Sequence, residues 1–195
     1  VVNSPGRNYF NPIEMSYQAP FVDAARSVDP VNRSNTFVSY YTYGSVLGLG
    51  LDLSLRSMDK GLTLDGFMRQ VWTKYGRTEI SYTVKDLQTT LAEYAGADFG
   101  NSYFENYIFD SQLPDYKSLF SKAGVKLELA ESNKASLGET IRKDKDEWKM
   151  TGNATVRSPL YKAGIESEDV FISIAGTQLS TVENVDDILA NHKQG

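Results

Sequence analysis

Apolar and polar positions alternate with two different periods along this chain. From Leu64 to Tyr75 the apolar residues Leu64, Phe67, Met68, Val71, Trp72 and Tyr75 recur at helical spacing, with Thr63 placed to cap the start and Gly76 to stop it. A second helix is expected over Val84–Tyr94, between Thr83 and Gly96, with Leu87, Leu91 and Tyr94 on one face. Asn101–Phe109 and Pro114–Lys122 follow as short helices, the latter with proline in its first turn and Gly124 past its end. These aromatic and leucine stripes read as core positions. After Gly124 the period shortens. Val125–Leu129 alternates like a strand, and Asn153–Val156, Asp169–Ile174 and a helix over Val182–His192 complete the chain. Arg142–Trp148 mixes charges of both signs and reads as a solvated loop or a strand edge.

Two segments are less regular. Val1 to about Arg33 is punctuated by Pro5-Gly6, Asn11-Pro12, Pro20 and Asp29-Pro30, and only Phe21–Val28 looks helical. In the most apolar stretch, Leu47, Leu49, Leu51, Leu53 and Leu55 alternate with Gly48, Gly50, Asp52 and Ser54, which by period alone is a strand. The change of pattern near 124–130 divides the chain into a mainly α-helical region, 1–125, and a small α/β region, 126–195.

Composition narrows the chemistry. The 195 residues are 41% hydrophobic and 23% charged, ordinary globular usage, with 20 Lys+Arg against 25 Asp+Glu and a net charge of −5. That balance argues against a nucleic-acid partner, which needs clustered cations. There is no cysteine and one histidine, His192, which reads as a solvated helix-end residue; this inventory supplies no zinc site and no nucleophilic triad. No glycine-rich phosphate loop appears. The apolar run Val46–Leu55 contains Asp52 and is too short for a membrane span. The opening Val1-Val2-Asn3 shows no leader pattern, and the chain is expected to be a piece of a longer polypeptide.

The last seventy or so residues resemble a bacterial-type PDZ domain. The resemblance rests on Thr155–Ile165, with its Ser158-Pro159 start and Ala163-Gly164-Ile165 end, and on Glu168–Gly176. Ser158 suits a helix cap, Gly164 a left-handed exit, and Val170, Ile172 and Ile174 alternate on a strand. Glu168 stands where Gly is usual and Ala175 where Asn is common. The resemblance implies a peptide-carboxylate loop at Ser136-Leu137-Gly138-Glu139, with Leu137, Gly138 and Glu139 as peptide-binding residues. It also implies a closing strand after the last helix, for which the residues up to Gln194-Gly195 offer no counterpart. A docking role for this region stands beside ligand binding.

The first 125 residues resemble the C-terminal part of the peptidase domain of the glycyl aminopeptidase family, zinc enzymes of the gluzincin clan. The carrying segments are Asn3–Arg7, Ser39–Gly44, Leu51–Arg56, Leu62–Asp65, Tyr103–Ile108 and Leu113–Tyr116, in that order and followed by the PDZ-like region. In the family the Tyr-Tyr-x-Lys-Gly motif, here Tyr40–Gly44 with Tyr43 where Lys is favoured, lies on a buried helix. It also looks like the Tyr-Glu-Lys-Gly segment of the aminopeptidase N family. The resemblance therefore implies a helix from about Thr36 to Ser57, against the strand reading.

It further implies a peptide substrate, a preference for small N-terminal residues such as Gly or Ala, and zinc on a His-Glu-x-x-His helix plus a later Glu in the full-length parent. None of those ligands is in this sequence, so the fragment is expected to be inactive alone. The residue carried over is Tyr41, as hydrogen-bond donor to the tetrahedral oxyanion, a role that suits a neutral phenol. From the residues alone Tyr41 reads as a core tyrosine like the other eleven; it is the motif that favours the catalytic role, with Tyr40 as the adjacent alternative. Asp52 and Arg56, four apart, read as a helical ion pair, Asp65 as a first-turn acid, and Arg7 as a ligand of a backbone carbonyl or of a substrate carboxylate. A periplasmic or envelope location follows from the resemblance only. The alternative from another class is a non-catalytic peptide-binding scaffold with a degenerate peptidase half.

Overall fold

The computed structural model describes residues 1–24, 32–130 and 133–193. Two compact units emerge, one of Val1–Val28 with Phe37–Glu128, the other of Asp29–Thr36 with Leu129–Gly195. Helix α1 (Pro12–Tyr17) begins in a reciprocal capping box in which the Asn11 side chain accepts from the Glu14 N–H and the Glu14 carboxylate accepts from the Asn11 N–H. The one-turn α2 (Arg33–Thr36) belongs to the second unit, and α3 (Tyr40–Arg56) is the long helix of the first. The leucine alternation thus lies on a helix. Tyr43, Leu47, Gly50, Leu51 and Leu55 face inward at helical spacing, while Tyr41, Gly44, Ser45, Leu49 and Arg56 are exposed on the outer face.

Helix α4 (Leu64–Val71) starts at the Thr63 cap, whose hydroxyl accepts from the Gly66 N–H. Its last expected turn widens into a π-turn over Trp72–Gly76, where the Trp72 ring lies against Gly76. Helix α5 (Val84–Ala95) opens with a second capping box, Thr83 and Asp86, and Gly96 ends it at φ +113°. Helices α6 (Ala97–Tyr107) and α7 (Tyr116–Lys122) complete the unit.

The main core gathers Leu51 and Leu55 of α3, Phe67 and Val71 of α4, Leu91 and Ala95 of α5, and Tyr103 and Phe104 of α6. Each Leu, Val or Phe among them taken from water contributes about 1.5–3 kcal/mol. Helices α5 and α6 pack closely at Gly100, where a β-carbon would stand 2.4 Å from the Ala92 backbone. A smaller core joins Met15, Val38, Tyr43 and Leu47.

The expected strand at Val125–Leu129 does not form. These residues are irregular and exposed, with Val125, Leu127 and Leu129 at 50, 47 and 81%, and none has a ladder partner among the described residues. Alternation alone marks which side chains share a face; a strand also needs a neighbour to take its amides. Lys126 and Glu128 close an ion pair at 2.7 Å on the other face.

In the second unit, β1 (Ile141–Asp144) and β2 (Glu147–Met150) form an antiparallel hairpin, Ile141 opposite Met150 and Asp144 opposite Glu147. The charge-dense segment is therefore a hairpin with β1 at the sheet edge and solvated charges, while Trp148 of the central β2 is buried. Helix α8 (Pro159–Lys162) is capped by Ser158, whose hydroxyl accepts from the Tyr161 N–H, and Gly164 leaves it at φ +75°. Strand β3 (Val170–Phe171) pairs with β2, and β4 (Ser173–Ile174) with β5 (Thr177–Gln178).

Helix α9 spans only Val185–Leu189, since Asn184 caps it and Leu179–Thr181 form a separate 3-10 turn. Asn153–Val156 is not a strand. The helix read over Phe21–Val28 is a π-turn at Pro20–Ala24 where it is described, and residues 25–28 lie outside the described residues. Trp148, Leu179, Val185 and Ile188 form one core, with the Trp148 indole N–H donating to the Leu179 carbonyl at 3.1 Å, and Met150, Ala154 and Leu160 form another.

Candidate functional site

Helix α3 opens with two tyrosines whose rings stack at 4.6 Å, Tyr40 and Tyr41. The helical period that turns Tyr43 inward turns Tyr41 outward, and Tyr41 is 74% exposed. Its hydroxyl is presented to solvent and not packed in the core. Ser39 stands at the helix N-cap without a side-chain cap bond.

Beneath it lies a buried polar layer. The Arg7 guanidinium donates to the backbone carbonyls of Val2 (2.8 Å) and Ser111 (2.7 Å), the structural option of the two read for it. Tyr43 is fully buried beside Arg7, and burial pushes its phenol up while Arg7 opposes that rise. Tyr103 and Tyr116 donate to the α3 carbonyls of Leu47 (2.6 Å) and Val46 (2.7 Å). Burial raises both phenols, Tyr116 to about 12. These three tyrosines are therefore neutral supports of α3. The sequence signal for Tyr43 was its place four residues before Leu47 on the stripe that continues through Leu51 and Leu55.

Farther along α3, Asp52 bonds Arg56 at 2.7 Å and accepts the Leu64 N–H at 2.8 Å, so it also steadies the start of α4. Partial burial alone would raise its carboxyl; the Arg56 and Leu64 bonds outweigh this and hold it below the usual range. Asp65 lies in the first turn of α4.

In the second unit Leu137, Gly138 and Glu139 occupy a turn with Gly138 at φ +77°. Leu137 packs in both cores there. The Gly138 N–H donates to the hydroxyl of Ser136 at 3.0 Å, and a β-carbon on Gly138 would stand 2.7 Å from the Pro159 ring. The glycine thus backs onto the start of α8. The Glu139 carboxylate accepts from the Thr155 N–H at 2.7 Å. A groove of about 460 Å³ runs between residues 134–139 and α9, lined by Lys134, Ala135, Ser136, Leu137, Glu139, Asp186, Leu189 and Ala190. The sequence reading reached the loop side of this groove but not Asp186, Leu189 and Ala190, whose only signal was their place on the last helix.

No group of three or more His, Cys, Asp or Glu side chains comes together to hold a metal among the described residues, and His192 is exposed beyond α9. The residues present do not fit a zinc site.

Over 97% of its length the chain matches the crystal structure of an aminopeptidase N family protein from Idiomarina loihiensis, with a TM-score of 0.75 and 23% identity. What is shared is the fold. The match takes in 34% of the solved chain, so this chain spans about a third of the length of the protein it resembles. No protein-family model matches the sequence, and no curated protein does. In this chain the matched length is a helical region followed by small antiparallel sheets. Among the described residues no helix is long and apolar enough to cross a membrane.

Proposed function

We propose that this chain is the C-terminal part of a zinc-dependent aminopeptidase of bacterial type resembling the glycyl aminopeptidases. The helical unit is one wall of the substrate cleft, and the second unit is PDZ-like. The observation that carries the reading is the likeness of fold to an aminopeptidase N family protein over nearly the whole chain. The metal ligands then lie in the rest of the parent, and the 195 residues alone are inactive.

Tyr41 contributes from the head of α3. Its hydroxyl donates a hydrogen bond to the carbonyl oxygen of the scissile bond as that oxygen gains negative charge. A donor placed for the charged oxygen stabilises the transition state more than the ground state. The exposure of Tyr41 supports this role, and the buried layer of Arg7, Tyr43, Tyr103 and Tyr116 holds α3 in place under it. The preferred substrates are peptides with small N-terminal residues such as Gly or Ala, by the same resemblance.

The test is glycyl-arylamide hydrolysis by the full-length parent, wild type against Tyr41→Phe, with zinc content and melting temperature measured on both. The expected result is a fall in kcat of about a hundredfold or more at unchanged metal content and fold. An unaffected variant removes Tyr41 from the mechanism, and a parent with neither zinc nor activity overturns the enzyme reading.

A second reading is favoured by the groove beside α9. In it the chain belongs to a peptide-binding scaffold whose peptidase half is degenerate, and the second unit does the work.

A further inference from the structure

The groove beside α9 differs in chemistry from a site for a peptide C-terminus. Capturing a carboxylate takes free backbone amides or cations at the closed end of the groove. The glycine amide of this loop is already given to the Ser136 hydroxyl, and the α-carbon of Gly138 faces Pro159. Gly138 does not line the groove; Glu139 does, with Asp186 on the opposite wall. A terminal carboxylate entering here meets two carboxylates and one cation, Lys134.

The geometry points to a different ligand: an extended stretch of polypeptide that crosses the groove in mid-chain and sets a Lys or Arg side chain between Glu139 and Asp186. Leu137, Leu189, Ala135 and Ala190 supply the apolar floor for its neighbours. The volume of about 460 Å³ falls within the range of ligand-holding clefts, about 300–1,000 Å³. Ala135 and Ser136 lie in no strand, next to Lys134, which makes an isolated antiparallel bridge to Lys193. The cations of β1, Arg142 and Lys143, do not line the groove. The inference rests on the reading of the second unit as a peptide-binding element and specifies what that element takes.

The experiment is fluorescence anisotropy of the 195-residue chain with three fluorescein-labelled hexapeptides. One alternates valine and lysine and is amidated, one replaces its lysines with glutamate, and one is the lysine peptide with a free C-terminal carboxylate. The lysine amide is expected to bind about tenfold more tightly than the glutamate peptide and to weaken with added salt. Freeing its carboxylate is expected to bring no gain. Asp186→Asn and Glu139→Gln should each weaken it about threefold; glutamine keeps the acceptor for the Thr155 N–H, so the fold is conserved. Stronger binding on freeing the carboxylate, preference for the glutamate peptide, or indifference to both substitutions overturns the charge assignment and leaves peptide binding standing. Failure of all three peptides to bind overturns both.

Discussion

Asn35 and Val156 are joined by a half-buried hydrogen bond, the Asn35 carboxamide oxygen accepting the Val156 N–H at 2.8 Å while its nitrogen donates to the buried Ala154 carbonyl at 3.0 Å. One side chain, itself buried, thereby does for Ala154–Val156 what a neighbouring strand does elsewhere, satisfying a donor and an acceptor.

Replacing Asn35 with Ala leaves the buried Ala154 carbonyl unpaired and takes the acceptor from the half-buried Val156 N–H. The expected loss is about 1–3 kcal/mol, with faster hydrogen exchange at Val156 as the local signature. Urea denaturation followed by exchange on the full chain checks it, and an unchanged midpoint refutes it.

The hairpin between β4 and β5 turns through Ala175 and Gly176, both left-handed, at φ +49° and +81°. Such two-residue turns favour Asn-Gly, because a Cβ in the left-handed region costs a residue like alanine about 1–2 kcal/mol. Ala175→Asn is expected to raise the melting temperature of the chain. Glu168, at φ +76° in the turn where Glu166 and Asp169 bond each other, should gain likewise from Gly. These are the two positions where the sequence departs from the PDZ pattern, and the backbone there still has the conformation that Asn or Gly fits best.

Gly100→Ala tests the closest helix contact in the first unit. The added methyl meets backbone, which cannot swing aside, so α5 and α6 must separate. A loss of about 1–3 kcal/mol is expected by thermal or denaturant unfolding.

Asp52 gives the pH dependence a sign. Its folded carboxyl titrates below its unfolded value, so its contribution is fully present above the unfolded value and fades as pH falls through the folded one. Asp52→Asn should lower Tm at pH 7, and the gap to the wild type should narrow as falling pH protonates the Asp52 carboxyl. Melting curves from pH 7 into the acid range decide this; a gap that does not narrow as pH falls assigns the effect to packing.

Much of the helical unit was legible because its helices carry their own punctuation: Thr63, Thr83 and Gly96 act where local chemistry says they should, whereas α1, capped by Asn11, lay in a segment read as irregular because its prolines hid so short a helix. Helix α3 was not legible from period, since alternating Leu with Gly or Ser serves a strand face and a broad helix face equally. The resemblance to a buried family helix decided it. The strand at Val125–Leu129 was over-read because alternation says nothing about a partner. Tyr41 and the Ser136–Glu139 loop could be singled out in sequence, but that Tyr41 lies outward and Gly138 faces away from the groove depends on packing. Asn35 carried no signal at all, being a polar residue in an irregular segment whose partners lie 119 and 121 positions later.

That separation matters most while the chain is being made. At about 5–20 residues per second, Asn35 leaves the ribosome roughly 6–24 s before the stretch it binds has been synthesised. In that interval α3 to α7 have time to fold, and the carboxamide of Asn35 stays hydrated until Ala154–Val156 arrive. Docking of Asn35 into the second unit therefore cannot precede those residues, and a ribosome stalled before their codons holds a protein whose helical unit is built and whose earliest contribution to the other is still waiting.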